Sequence, residues 1–264
     1  MTTTAAAPSY REWGAAAALE RYVQCIWSGG GGGPGSEPVL PDGCMDVIWT
    51  GARLFVAGPD TGPVEDDHGG AFAVGVRFRP GAGPILLGVP AATLRDARVG
   101  LGELWSTASH IEDELAQQGS AVAAAGVLEA AVRSRLGGCG RPDPIVELAA
   151  RRWSEAPGSL AVGALAQESG LTGRQLHRRF LHAVGYGPKR LQRILRFQAF
   201  LRQSGAAPAG LAELAARCGY ADQAHLSRET AVLAGRTPAQ LATARAGGSD
   251  PFKTGGWPGR RPSP

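Results

Sequence analysis

Two stretches of the C-terminal third decide the fold: SLAVGALAQESGLTGRQLHRRFLHAVGYGPKRLQRILRFQ, residues 159–198, and LAELAARCGYADQAHLSRETAVLAGRTPAQL, residues 211–241. Leu165, Ala166, Gly170, Leu176, Arg178, Gly185, Pro188 and Leu191 of the first recur as Leu214, Ala215, Gly219, Leu226, Arg228, Gly235, Pro238 and Leu241 of the second. The offset is 49 residues before the turn and 50 after it, so the second copy has one extra turn residue. Two copies make a duplicated module and not a solenoid. Each reads as a short helix (VGALAQES, LAELAARC), a turn opened by Gly170 or Gly219, and a second helix. Glycine ends a helix because it tolerates the left-handed backbone just past the last turn. Thr172 and Asp222 are the expected N-caps of the second helices, their side-chain oxygens accepting from free backbone N–H groups.

A helix, a glycine-containing turn and a second helix make the helix-turn-helix plan, in which the second helix enters the DNA major groove. Between the copies, PKRLQRILRFQAFLRQ directs Leu191, Ile194, Leu195 and Leu201 to the core, with Lys189, Arg190, Arg193 and Arg196 largely elsewhere. As a continuous helix it is a strut between two reading heads, set for adjacent grooves roughly 34 Å apart. Charge follows the same division. Residues 159–246 carry twelve Lys and Arg against four Asp and Glu, and residues 1–158 carry twelve against eighteen. A basic module beside an acidic one points to a polyanion at one end of the chain.

The two stretches resemble the double helix-turn-helix domain of the AraC/XylS family of bacterial transcription regulators, over about 90 residues. Further forward, VLPDGCMDVIW, AVGVRFRPG and LLGVPAATLRD resemble the N-terminal region of a subgroup of that family with uncharacterised ligands. By position, the resemblance implies that Arg174, His177 and Arg178 face DNA from the first recognition helix and Gln223, Ala224, Ser227 and Arg228 from the second, with Lys189 as a phosphate contact. It also implies a small-molecule effector, a homodimer and, for an activator, RNA polymerase as partners. In the family pattern an aromatic follows the second-helix arginine by two residues and fills the core. Phe180 does so in the first unit, whereas Thr230 stands in the second, followed by Ala231 and Val232 where basic or polar residues are usual. The second unit is therefore expected to be the weaker; a degenerate regulator that pairs with protein partners is a further reading, under which Phe at position 230 raises stability and DNA affinity markedly.

The expected architecture is α+β in two domains: a β-rich, barrel-like N-terminal domain with trailing helices over residues 1–138, an all-α tandem helix-turn-helix domain over 139–246, and a disordered tail over 247–264. In FAVGVRF, Phe72, Val74, Val76 and Phe78 share one face while Arg77, with Arg79 beyond it, takes the other, the alternation of a half-buried strand. MDVIWT and RLFVAG are similar short runs, and the Gly29–Gly33 run reads as a loop. Helical periodicity is read from Ala91, through Leu94, Leu101, Leu104, Trp105, Ile111 and Leu115 to the Ala121–Leu136 run, and GGCGRPDP (137–144) reads as the linker.

Asp42, Asp46, Trp49, Arg77 and Arg79 are the candidate effector-binding residues of the first domain. Arg77 and Arg79 either hold an anion or face water. Cys44 between Asp42 and Asp46 invites a catalytic thiol, but neighbouring carboxylates raise a thiol's pKa and no histidine lies nearby in sequence. Asp66, Asp67 and His68 are adjacent residues in a loop context and cannot converge on one metal. No catalytic residue, metal or cofactor is assigned. The four scattered cysteines lack a CxxC pair and read as buried thiols, and the N-terminus lacks the features of a signal peptide. These point to a cytoplasmic protein outside the membrane. An enzyme with its active site in the N-terminal barrel and an accessory helical domain is the alternative.

Overall fold

The computed structural model describes residues 10–30, 38–65, 72–205 and 210–246; the Asp66–His68 loop and the tail from 247 lie outside these residues. The first domain is built on six strands: β1 (Arg11–Trp13), β2 (Val23–Gly30), β3 (Met45–Trp49), β4 (Leu54–Ala57), β5 (Phe72–Phe78) and β6 (Arg98–Gly100). They form one antiparallel sheet in the order β1-β2-β5-β3-β4-β6, open, with β1 and β6 at its edges. Gly29 and Gly30 are not loop. They continue β2, paired with Ala73 and Phe72.

Side chains alternate across this sheet, as strand geometry requires. Val47, Trp49, Val74, Val76 and Phe78 enter the larger core, with Ile111 and Leu115 of α2 (Ala108–Ala116) and Ala124, Leu128 and Val132 of α3 (Ala121–Ser134). Cys25, Trp27, Ile48, Phe55, Ala57 and Ala73 form a smaller cluster on the opposite side. The helical reading of residues 91–107 is corrected: a one-turn helix α1 (Gly83–Leu87) precedes 3-10 turns at 91–93 and 101–103, with edge strand β6 between the turns. The leucine spacing there mimics a helix, but Gly100 and Gly102 interrupt it and Leu94, Leu101 and Trp105 are buried from turns.

Seven further helices complete the described chain: α4 (Pro144–Glu155), α5 (Val162–Glu168), α6 (Gly173–Val184), α7 (Pro188–Ser204), α8 (Leu211–Arg217), α9 (Gln223–Ala234) and α10 (Pro238–Ala246). The repeat is visible in local chemistry. Gly170 and Gly219 follow α5 and α8 with φ of +63° and +76°, the left-handed conformation that ends a helix. Thr172 caps α6 reciprocally with Gln175, and Asp222 caps α9 by accepting from the His225 N–H at 2.6 Å.

The strut is continuous. α7 buries Leu191, Ile194, Leu195, Phe197, Phe200 and Leu201 among residues from both units. Phe180 is fully buried, tilted against Trp153 of α4 at 5.9 Å between ring centroids. Thr230, its counterpart, is equally buried, and its hydroxyl donates to the Ser227 carbonyl at 3.1 Å. No described helix is long and apolar enough to cross a membrane.

The two halves touch at more than one place. Leu40 belongs to the helical core, and the Pro41 carbonyl accepts from Gln198 Nε2 of α7 at 2.7 Å. Gly185, at the end of α6 with φ +81°, comes so close to Pro59 and Ala91 that a Cβ there would stand 2.7 Å from Pro59 Cγ. Arg95 donates to its carbonyl at 3.3 Å. Since Phe180 bridges α4, α6 and α7, Phe180→Ala should cost about 3–5 kcal/mol in urea-induced unfolding followed by helical circular dichroism. Thr230→Val, which keeps the shape and removes a hydroxyl bonded within its own helix, should change stability by no more than the roughly 0.5–1.5 kcal/mol of one hydrogen bond.

Candidate functional site

The first recognition helix, α6, presents a basic face. Its apolar Leu176, Phe180, Ala183 and Val184 are buried, which leaves Arg174, His177, Arg178 and Arg179 exposed. Arg179 is tied at 3.1 Å to Asp143, the N-cap of α4. Arg174 and Arg178, four residues apart, share one face of the helix. The His177 ring lies over the Gly187 backbone, so close that a Cβ at 187 would fall 2.6 Å from it. Lys189 is exposed at the start of α7.

The second recognition helix, α9, differs. Gln223, Ala224 and Arg228 are exposed, but so are Ala231 and Val232. The Ser227 hydroxyl donates back to the Gln223 carbonyl at 3.0 Å. His225 is occupied internally: its ring packs edge-on against Tyr220 and reaches Glu229 at 3.5 Å. The strut arginines are engaged too. Arg193 donates to buried Glu229 at 2.6 Å, Arg196 to the Gly219 carbonyl at 3.0 Å, and Arg190 to the Thr61 carbonyl at 3.3 Å. Among the cations described on α6, α7 and α9, more are exposed on α6 than on α9.

A second site lies in the first domain, on the face of the sheet away from α2 and α3. Here a cavity of about 60 Å³ is lined by Asp42, Asp46 and Arg77, with Trp27, Asp60 and Arg98 among its other walls. Three of the five effector candidates are thus brought together and two are not. Trp49 points into the helix-covered core, one position out of phase with Asp46 and Ile48. Arg79 lies past the end of β5, its Nε donating to the Glu20 carbonyl at 2.7 Å.

Arg77 is the hub. Its side chain is 5 % exposed and stands 3.1 Å from Asp46, 3.4 Å from Asp42 and 3.8 Å from Glu12. Burial works against its charge, but Asp46 and then other neighbours overcome this and hold the guanidinium charged. Burial is also the largest influence on Asp42 and Asp46 and pushes both carboxyls upward, with Arg77 opposing. The Trp27 Nε1–H donates to Asp46 at 2.6 Å, and the Cys44 backbone N–H donates to Asp42 at 2.8 Å. Asp60 and Arg98 form a two-bond pair at 2.7 and 2.8 Å. That pair joins residues 38 apart and left no local signal in the sequence. Cys44 has its pKa raised by burial and by Asp42, and its thiol donates to Gln24 Oε1 at 3.4 Å.

Removing the hub would strand several carboxylates in a low-dielectric wall. Arg77→Met should therefore cost about 3–5 kcal/mol at neutral pH. Carboxyls whose folded pKa is raised stabilise the fold below their unfolded value near 4 and lose that contribution as pH rises through the folded value. Urea denaturation of the variant should accordingly recover part of the loss as the pH is lowered towards 4.

Comparison with known proteins places residues 165–244 in a family described as a helix-turn-helix domain, and residues 11–100 in one described as a domain of unknown function, DUF6597. No curated protein matches the chain. Among solved structures, the DNA-binding domain of AdpA, a global transcriptional factor in complex with a target DNA, is 24% identical over 40% of this chain and 95% of that one, with a TM-score of 0.37. The C-terminal domain of AraT, a response regulator from Geobacillus stearothermophilus, is 21% identical over 39% and 87%, with a TM-score of 0.37. ToxT from Vibrio cholerae, with unsaturated fatty acid bound, is 8% identical over 95% and 100%, with a TM-score of 0.44. With both units, their turn glycines and the shared strut in place, residues 165–244 are a tandem helix-turn-helix domain, carried behind an antiparallel sheet domain.

Proposed function

We propose that the chain is a sequence-selective DNA-binding transcription regulator acting in the cytoplasm, not an enzyme, whose affinity for DNA responds to occupancy of the cavity in the sheet domain. The observation that carries the DNA-binding half is the exposed Arg174 and Arg178 pair on the capped helix α6, beside exposed Lys189. Arginines on such a helix neutralise phosphates and bond guanine edges. The division into a sensory or dimerising domain at 1–138 and a DNA-binding domain at 139–246 belongs to this reading, as do a homodimer and RNA polymerase as partners. In α9, Arg228 and Gln223 supply the polar contacts and Ala224 an apolar one, as to a thymine methyl. A thiol whose ionisation is opposed by burial and by Asp42 is a poor nucleophile, which disfavours chemistry at Cys44.

Control by the cavity rests on the segment 40–44. Asp42 lines the cavity, Leu40 is buried in the helical core, and Pro41 is bonded to α7. Two buried polar atoms at this contact have no hydrogen-bond partner among the described residues, the Tyr186 hydroxyl and Gln198 Oε1. Such orphans cost about 1–3 kcal/mol each, and a second arrangement of the 41–44 turn would use them. A ligand that prefers one arrangement would shift the population of α6 and α7 available to DNA.

Binding of the purified protein to duplex from its own upstream region, against a scrambled duplex and across a salt series, tests this. Tight, selective binding that weakens with salt is expected. Arg178→Ala should remove about 1–3 kcal/mol of selectivity, and Lys189→Ala should lower the salt slope by about 1 with selectivity kept. Arg228→Ala should cost less than Arg178→Ala. Equal binding to both duplexes at every salt concentration would defeat the reading.

A further inference from the structure

Among the described residues, acidic side chains outnumber basic ones around the sheet-domain cavity. Its lining holds four carboxylates, Asp42, Asp46, Asp60 and Glu65, against two guanidiniums, Arg77 and Arg98. Asp60 and Arg98 satisfy each other through two short bonds, and Arg77 lies nearer to Asp46 than to Asp42. The Asp42 carboxyl accepts from the backbone N–H groups of Cys44 and of Asp42 itself, while its Oδ2 shares at 3.4 Å a guanidinium that lies closer to Asp46. Beneath the same turn, Tyr186 is 3 % exposed, and its hydroxyl, without a hydrogen-bond partner among the described residues, stands 3.6 Å from where a Cβ on Gly43 would be.

We infer that this cavity takes a small organic cation with N–H donors, an amidinium or primary ammonium group, seated on Asp42 beside the indole of Trp27. An inward-facing carboxylate with a half-share of a cation is completed by a positive donor and repelled by an anion, because Coulomb terms grow in a dry wall. Trp27 and Tyr10, 6.0 Å apart between ring centroids, supply aromatic surface that also favours a cation. A cavity of about 60 Å³ admits about four to six non-hydrogen atoms at one water-sized atom per roughly 10–15 Å³. The cationic head group alone fits, with any remainder of a larger molecule passing out toward Glu65 at the exposed end of the lining. The inference rests on the regulator reading only for its consequence; the ligand class stands on the cavity.

Three isosteres of four non-hydrogen atoms separate the possibilities: acetamidinium, acetamide and acetate, each titrated into the full-length protein at constant ionic strength set with sodium chloride. Calorimetry should give saturable binding of acetamidinium with a Kd on the order of millimolar, as expected for so few atoms, and none for the other two. Asp42→Asn should weaken acetamidinium at least tenfold. Ala57→Leu, which fills the cavity and keeps every carboxylate, should abolish binding, with a cooperative thermal melt reporting that each variant is folded. Acetate or acetamide binding as well as acetamidinium would overturn the inference. So would an absence of saturation by acetamidinium, or its undiminished binding to a cooperatively melting Asp42→Asn protein. The duplex assay is scored separately: selective DNA binding without cation binding sinks the ligand class alone, and cation binding without DNA selectivity sinks the regulator reading alone.

Discussion

Leu191, Ile194, Phe197, Phe200 and Leu201 of α7 are wholly removed from solvent, and the side chains that enclose them come from α4, both helix-turn-helix units and the Leu40 segment of the sheet domain. Burying one such side chain contributes about 1.5–3 kcal/mol, so one helix gathers much of the apolar burial that holds the C-terminal half together. Neither unit has a core of its own apart from this helix. The spacing and orientation of α6 and α9 are therefore set by a rigid element and not by a linker. The same helix donates from Gln198 to the Pro41 carbonyl and from Arg190 to the Thr61 carbonyl, so the sheet domain is in contact with the element that both units share.

The two units are built alike and charged differently. In α6 the large Phe180 closes the core and the outward face is basic. In α9 the smaller Thr230 occupies the corresponding place, the buried Glu229 draws Arg193 and His225 inward, and Val232 is left 58 % exposed. Electrostatic attraction, which acts at a distance and falls with salt, is thus weighted toward the first unit. The second exposes more apolar surface, at Ala231 and Val232.

The helical half was largely legible because its determinants are local. A capping threonine or aspartate, a glycine at positive φ and leucines at helical spacing all act within about four residues of one another, and the internal repeat displays them twice. The sheet half was legible along each strand and less so between strands. Alternation in FAVGVRF set Arg77 apart from the apolar face correctly. Nothing in sequence could bring Asp60 to Arg98 or Glu12 to Arg77, because these pairs depend on strand order. Trp49 was grouped with Asp46 by proximity along the chain, and an odd separation on a strand sends the two to opposite faces. Residues 91–107 misled for the opposite reason: helical spacing of leucines was present, but the glycines among them favour turns.

Asp42 and Leu40 both border the cavity, and Leu40 also lies within the helical core. No flexible spacer insulates the two sites, and thermodynamics then imposes a symmetry. Whatever free energy an occupant of the cavity transmits to α7, a DNA duplex holding α6 and α7 must return to the cavity in equal amount. The protein bound to its target sequence and the protein free in solution would hold the same small molecule with different affinities, so the genome would be an effector of the sensor as much as the sensor is a reader of the genome.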